Sequence, residues 1–296
     1  MSIGNASDWL LSQNSYCSPD SFSKKLDSCV TISVASGKGG VGKTSVSVKM
    51  AKELASNGYK VLLVDCDYNL SNTQIKLGLP INNNFDDLIQ GKIDFEESVV
   101  STMGFDLLAG CNGSQFFFEN EVEIDKVVIE VMAKQEAKYD FIILDCPAGI
   151  NKRSLAINAY SDYRFIVINP DKSSITDSYS LIKLLMLNFG IKDNHLILNK
   201  ISGRAQFSKL VKCMSETVEN FLGGRLNILG HIKKYDCAID EFDNSFIGSA
   251  TSAGDQNFSK MIEKFTEEFI VTSSVHIPNV EPRKTLNEQN VHEHLS

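Results

Sequence analysis

Two lysines in one glycine-rich loop and three aspartates at the ends of apolar runs are the residues in this chain that could do chemistry. The first group is Ser36-Gly37-Lys38-Gly39-Gly40-Val41-Gly42-Lys43-Thr44-Ser45. The spacing Gly-x-x-x-x-Gly-Lys-Thr lets successive backbone N–H groups curl around a polyphosphate, and the glycines are needed because a Cβ would obstruct the curl. Lys43 suits the β- and γ-phosphates of ATP, and the Thr44 hydroxyl suits Mg²⁺. Asp145 closes the apolar run Phe141-Ile142-Ile143-Leu144 and is followed by Cys146-Pro147-Ala148-Gly149. An acid in that place serves the metal, and Gly149 permits close backbone approach to a terminal phosphate. Asp65 and Asp67 flank Cys66 at the end of a second apolar run. Carboxylates at i and i+2 of a strand share a face, where Asp65 is assigned to the metal shell and Asp67 to orienting a water.

These residues need a scaffold that brings strand ends together. Val30–Ala35, 60–65, 105–108, 139–145, 164–168, 195–199 and 227–232 read as strands. Residues 43–57, 124–138, 175–189 and 206–221 read as helices. Continuous Val/Ile/Leu runs mark strands covered on both faces. Their alternation with helical patterns predicts an α/β fold, a doubly wound and mostly parallel sheet in three α/β/α layers with right-handed crossovers. Such sheets bind ligands beyond the carboxyl ends of the strands, where the loop, Asp65 and Asp145 all fall. The phosphates would then meet a helix N-terminus.

Composition sets outer bounds. The chain has 296 residues, 43% hydrophobic, with net charge −8. That supports one large domain with a substantial core, read as residues 29–270 between a polar arm (1–28) and a polar tail (271–296). The acidic balance argues against broad nucleic-acid binding. No apolar run reaches the roughly 20 residues of a membrane span, and no secretory leader is visible, so the expected location is cytoplasmic. Seven cysteines without a Cys-x-x-Cys read as reduced thiols. The histidines of His292-Glu293-His294 read as solvated.

With Lys38 inside the phosphate loop, Asp65-Cys66-Asp67 followed by Asn72, and Asp145-Cys146-Pro147-Ala148-Gly149, the chain resembles the MinD/ParA ATPases with their deviant Walker A loop. The resemblance spans about residues 30–270. It implies a MinD-like fold, ATP/ADP and Mg²⁺, slow hydrolysis, and an ATP-bound homodimer in which Lys38 crosses to the partner's nucleotide. Asn199-Lys200 falls at the family's adenine-contacting position. Ser173-Ser174-Ile175-Thr176-Asp177-Ser178-Tyr179-Ser180-Leu181-Ile182-Lys183 is similar to a segment of the flagellar-number regulators. That branch implies protein partners such as a flagellar GTPase, a basal-body component or a transcriptional regulator, with recruitment to a cell pole or membrane by a partner. A septum-site or DNA-partitioning ATPase shares every nucleotide motif, and a non-hydrolysing nucleotide-binding module stays open as well. Three features depart from the branch. Asn69 stands where a glycine is usual. Asn5–Gln13, with Trp9-Leu10-Leu11, replaces the Asp-Gln-Ala-x-x-Leu-Arg arm motif. The stripe Phe258, Met261, Ile262, Phe265, Phe269 is flanked by Glu263, Glu267 and Glu268 as well as Lys260 and Lys264. A lipid-binding helix is normally Lys/Arg-rich, so the stripe is read as the last helix of the core.

Overall fold

The computed structural model describes residues 28–67, 71–110, 124–248 and 253–271. Asn69, the arm with Trp9-Leu10-Leu11, and the tail with His292 and His294 lie outside the described residues. In chain order the elements are β1 (Val30–Ala35), α1 (Lys43–Ser56), β2 (Val61–Asp65), α2 (Thr73–Lys76), α3 (Asn84–Ile89), α4 (Phe95–Ser98), β3 (Val100–Thr102) and β4 (Phe105–Leu108). They continue with α5 (Ile124–Gln135), β5 (Phe141–Asp145), α6 (Lys152–Tyr160), β6 (Tyr163–Ile168), α7 (Lys172–Phe189), β7 (Asp193–Ile201), α8 (Arg204–Leu222), β8 (Arg225–Lys233), α9 (Ile239–Gly248) and α10 (Ala253–Phe265).

Eight strands form one sheet in the order β3-β4-β2-β5-β1-β6-β7-β8. All pair in parallel except β3, which runs antiparallel to β4. The apolar runs explain the burial of both faces. Leu62, Val64, Ile142, Leu144, Ile166, Ile168, Leu196 and Leu198 cluster with Val128, Leu155, Leu181 and Met214 of α5–α8. Their alternating neighbours Leu63, Ile143, Val167 and Ile197 are equally buried on the opposite face. α1 packs there, and α9 lies against it. The crossover reverses direction at β1, which sits between β5 and β6. The switch point of the sheet therefore faces the phosphate loop.

β3 was not expected from the sequence. Its turn is Met103-Gly104, with φ 49° and 87°. Two successive left-handed residues suit a two-residue hairpin, but methionine is a rare occupant of that position. α2, α3 and α4 are too short to show a helical period.

The residues up to Ile262 form one compact unit, and a second begins at Glu263. Within the first, Phe258, Met261 and Ile262 of α10 are buried, and Phe258 meets Phe246 of α9 edge-on at 5.4 Å between ring centres. These members of the apolar stripe face protein. In the second unit the described residues end in a π-helical turn, Thr266–Val271, with Lys264 and Glu268 paired at 3.9 Å. No described helix is long and apolar enough to cross a membrane.

His195 lies in the buried part of β7 and is 3% exposed, with the rings of Tyr163 and Phe165 at 5.5 and 5.6 Å. Burial, with Arg164 and Arg225 nearby, drives its pKa down to about 4. The folded protein thus holds a neutral imidazole where the unfolded chain, with a pKa of about 6.5, takes up a proton. Stability is unaffected above that value and falls as pH drops toward 4, by a total on the order of 3 kcal/mol. Urea midpoints between pH 4 and 7 should show this slope, and His195→Phe should flatten it. An unchanged slope in the variant would assign the acid sensitivity elsewhere.

Candidate nucleotide-binding site

The phosphate loop joins β1 to α1. Gly42 caps α1 with φ 100°, a left-handed conformation that frees the first N–H groups of the helix to face the loop. The Ser36 hydroxyl donates to the Lys38 carbonyl at 2.6 Å, which tightens the first turn. Gly149 donates its N–H to the Ser36 carbonyl at 3.2 Å, so the Asp145–Gly149 segment is tied directly to the loop. Val41 and Lys43 are buried, and Thr44 is half-buried at the first turn of α1.

The two strand-end carboxylates meet because β2 and β5 are neighbours. Asp65 and Asp145 are paired in register, and the Cys66 N–H donates to the Asp145 carbonyl at 3.0 Å. Asp145 is 3% exposed and accepts hydrogen bonds from the Thr44 and Ser47 hydroxyls, the latter at 3.0 Å. Burial raises its pKa to about 7, helped by Asp65, while Thr44 and Lys43 oppose the rise. Burial likewise raises Asp65. Asp65 accepts three hydrogen bonds: Oδ1 from the Asp67 N–H at 2.9 Å, and Oδ2 from the Ser71 and Thr73 hydroxyls at 2.7 Å each. Asp65 therefore shapes the segment carrying Asp67, which is half-buried beside it. The hydroxyls of Ser71 and Thr73, six and eight residues downstream, were not singled out in the sequence. Their only signal there is proximity to two acids.

Asn199 lies where β7 passes the loop, 3% exposed. Its Nδ2 donates to the Val41 carbonyl at 2.7 Å, and its Oδ1 accepts from the Lys200 N–H at 2.8 Å. Lys200 adopts φ 57° and reaches the Gly40 carbonyl at 3.4 Å. The pair braces the loop backbone; the amide expected to read adenine is turned onto the protein in this structure. Ser45 likewise turns its hydroxyl away from the loop, to Asp243 at 2.6 Å.

Lys38 leaves the loop altogether. Its Nζ lies 3.0 Å from Asp171 Oδ1 and 2.7 Å from Ser173 Oγ. Asp171 is the N-cap of α7 and also accepts from the Ser174 N–H at 3.0 Å. The N–H of Ser174, the Ser173 hydroxyl and Lys38 together pull its pKa down to about 2. Asp171 is 133 residues from Lys38, and no spacing in the sequence connects them.

A Mg²⁺–nucleotide fits this arrangement on three grounds. The glycine curl at Gly40 and Gly42 is left-handed and has no Cβ to fill it. Lys43 and Thr44 stand at a helix N-terminus. Two buried carboxylates in register disfavour each other's charge unless a cation joins them. Lys43, Thr44 and the backbone N–H of Ser45 would hold the phosphates, and Thr44, Asp65 and Asp145 would serve the metal, which when bound would neutralise charge developing on the phosphates.

A curled loop between a central parallel strand and its helix, facing strand-end acids, defines a P-loop nucleotide-binding protein. The AAA domain family matches residues 29–188. The antiactivator FleN of Pseudomonas aeruginosa is 30% identical over 213 residues, covering 70% of this chain and 74% of that protein. The flagellum site-determining protein YlxH of Helicobacter pylori is 31% identical over 223 residues, covering 73% of each. The septum site-determining protein MinD of Pyrococcus horikoshii, solved with Mg-ADP, superposes with a TM-score of 0.67 at 24% identity, over 84% of this chain and all of that one. The chain belongs to the MinD/ParA family of P-loop ATP-binding proteins, with the flagellar regulators FleN and YlxH among its homologues.

Proposed function

We propose that this protein is a slow, Mg²⁺-dependent ATPase whose ATP-bound form dimerises and sets the number or placement of flagella. The placement of Lys38 carries the switch part of this reading. A lysine inside the phosphate loop that points to the neighbouring helix N-cap does not serve its own nucleotide. Its surface ion pair with Asp171 is worth only about 0–1 kcal/mol, so it is free to transfer to a phosphate presented by a second subunit. The kinship to FleN and YlxH, over about three quarters of each, supports the flagellar output. Protein partners follow from the same kinship, with no nucleic acid required; the apolar stripe of α10 gives no support to a membrane anchor.

In the proposed reaction Lys43 would bind the β- and γ-phosphates, Thr44, Asp65 and Asp145 would serve the metal, and Asp65 would also fix the segment from which Asp67 orients the attacking water. Turnover by purified protein separates this from a non-hydrolysing module. Asp67→Ala should slow turnover by about 10²-fold while leaving ADP affinity within about twofold. Wild-type turnover in that variant would assign the water to another residue. Deleting the gene and counting flagella by microscopy tests the output. Altered number or position is expected; normal flagella with displaced septa would replace it by a septum-site role.

A further inference from the structure

Helix α1 carries three polar side chains on one stripe, Ser45, Lys49 and Lys52, at i, i+4 and i+7. Polar residues at that spacing on an amphipathic helix ordinarily face water, but here α9 covers them. Ser45 Oγ donates to Asp243 Oδ1 at 2.6 Å. Lys49, fully buried, stands 5.8 Å from the centre of the Phe246 ring and pairs with Glu53 at 3.1 Å. Lys52 donates to the Ile247 and Gly248 carbonyls at 2.7 and 3.0 Å, satisfying the last turn of α9. Asp243 itself is 7% exposed, and its second oxygen pairs with Lys76 of α2.

Asp243 thus joins three segments distant in sequence: the phosphate-loop helix, α9, and the short α2 that follows Asp67. α2 is four residues long and has no stability of its own. Its N-terminal side is tied to β2 through Thr73 and Asp65, and its C-terminal side to α1 through Lys76 and Asp243. We propose that Asp243 is a positioning residue of the nucleotide site: it locks α2 against the phosphate-loop helix and thereby holds Asp67 in register with the phosphates. This rests on the nucleotide-site reading above. Ser45, next to the metal-serving Thr44, and Lys76, at the far end of the Asp67 segment, grip the two oxygens of one carboxylate. A shift at either end is therefore felt at the other, and at α9.

Three variants test this: Asp243→Asn, which keeps an acceptor for Ser45 but removes the charge facing Lys76; Lys76→Met; and the double. Amide exchange over residues 73–79, MgADP affinity by calorimetry, and ATP turnover at saturation are measured. Each single variant should speed exchange in 73–79 by about tenfold and lower kcat about fivefold, with the MgADP Kd within about twofold of wild type. The double should be no worse than either single, and Lys76→Arg should restore wild-type behaviour. Unchanged exchange in 73–79, multiplying losses in the double, or a defect confined to Kd would each overturn the proposal. If the wild-type protein proves inactive or fails to bind MgADP, the function proposed above fails. Exchange in the nucleotide-free protein still decides whether Asp243 anchors α2.

Discussion

Lys38→Ala is expected to abolish ATP-dependent dimerisation while leaving MgADP binding by the monomer within about twofold. The reason is geometric: Nζ is held at the N-cap of α7, away from its own loop. Removing it should take nothing from the subunit's own phosphates and everything from a contact made across the dimer. Asp171→Asn should act in the opposite direction. The released lysine no longer has to leave a carboxylate, so the dimer fraction at limiting ATP should rise, by up to about fivefold for a pair worth up to about 1 kcal/mol. Sedimentation velocity with ATP and Mg²⁺ distinguishes the species. A stable dimer of Lys38→Ala would remove the lysine from the interface and with it the switch.

Gly37→Ala should be the most damaging single-methyl change in the loop. A Cβ built there falls 2.1 Å from the Asp177 carbonyl carbon, 2.3 Å from its oxygen and 2.5 Å from the Ser178 nitrogen. All three are backbone atoms of α7, so no rotamer change relieves the clash. Either α7 or the loop must move, at a cost of about 2–4 kcal/mol, which corresponds to a fall in Tm of roughly 10 °C for a domain of this size. MgADP affinity should drop more than about tenfold, because the curl is built on this contact. Gly39→Ala is the internal control. Its added methyl meets only the Ala148 side chain, at 3.7 Å, an ordinary packing distance. Thermal melts and calorimetry on the two variants side by side decide the matter. Equal behaviour would mean that the approach of α7 to Gly37 does not control the loop.

The nucleotide loop, the strand-end acids and the parallel core were legible because each is encoded locally. A glycine run, an apolar run and its terminal aspartate are contiguous in sequence, and doubly buried strands announce themselves by composition. What was not legible joins residues far apart. Asp171 and Asp243 are ordinary helix-start and helix-interior acids until the fold sets one against Lys38 and the other against Ser45, 198 residues away. Asn199 was placed near the nucleotide by resemblance, and the contact it makes with the loop has no local signature in the sequence. Here it takes the Val41 carbonyl. The β3–β4 hairpin escaped notice because Met103 takes a conformation usually left to glycine or asparagine.

The position of β1 also bears on how the protein comes into being. Among the described residues it is the first strand to be synthesised, yet both of its partners, β5 and β6, are made more than a hundred residues later. The brace at Asn199 comes later still. A nascent chain emerging N-terminus first therefore displays the glycine loop long before anything can hold it in shape. Ligand capture should begin only when β7 has cleared the ribosome, and until then the apolar first strand must be kept from other partners.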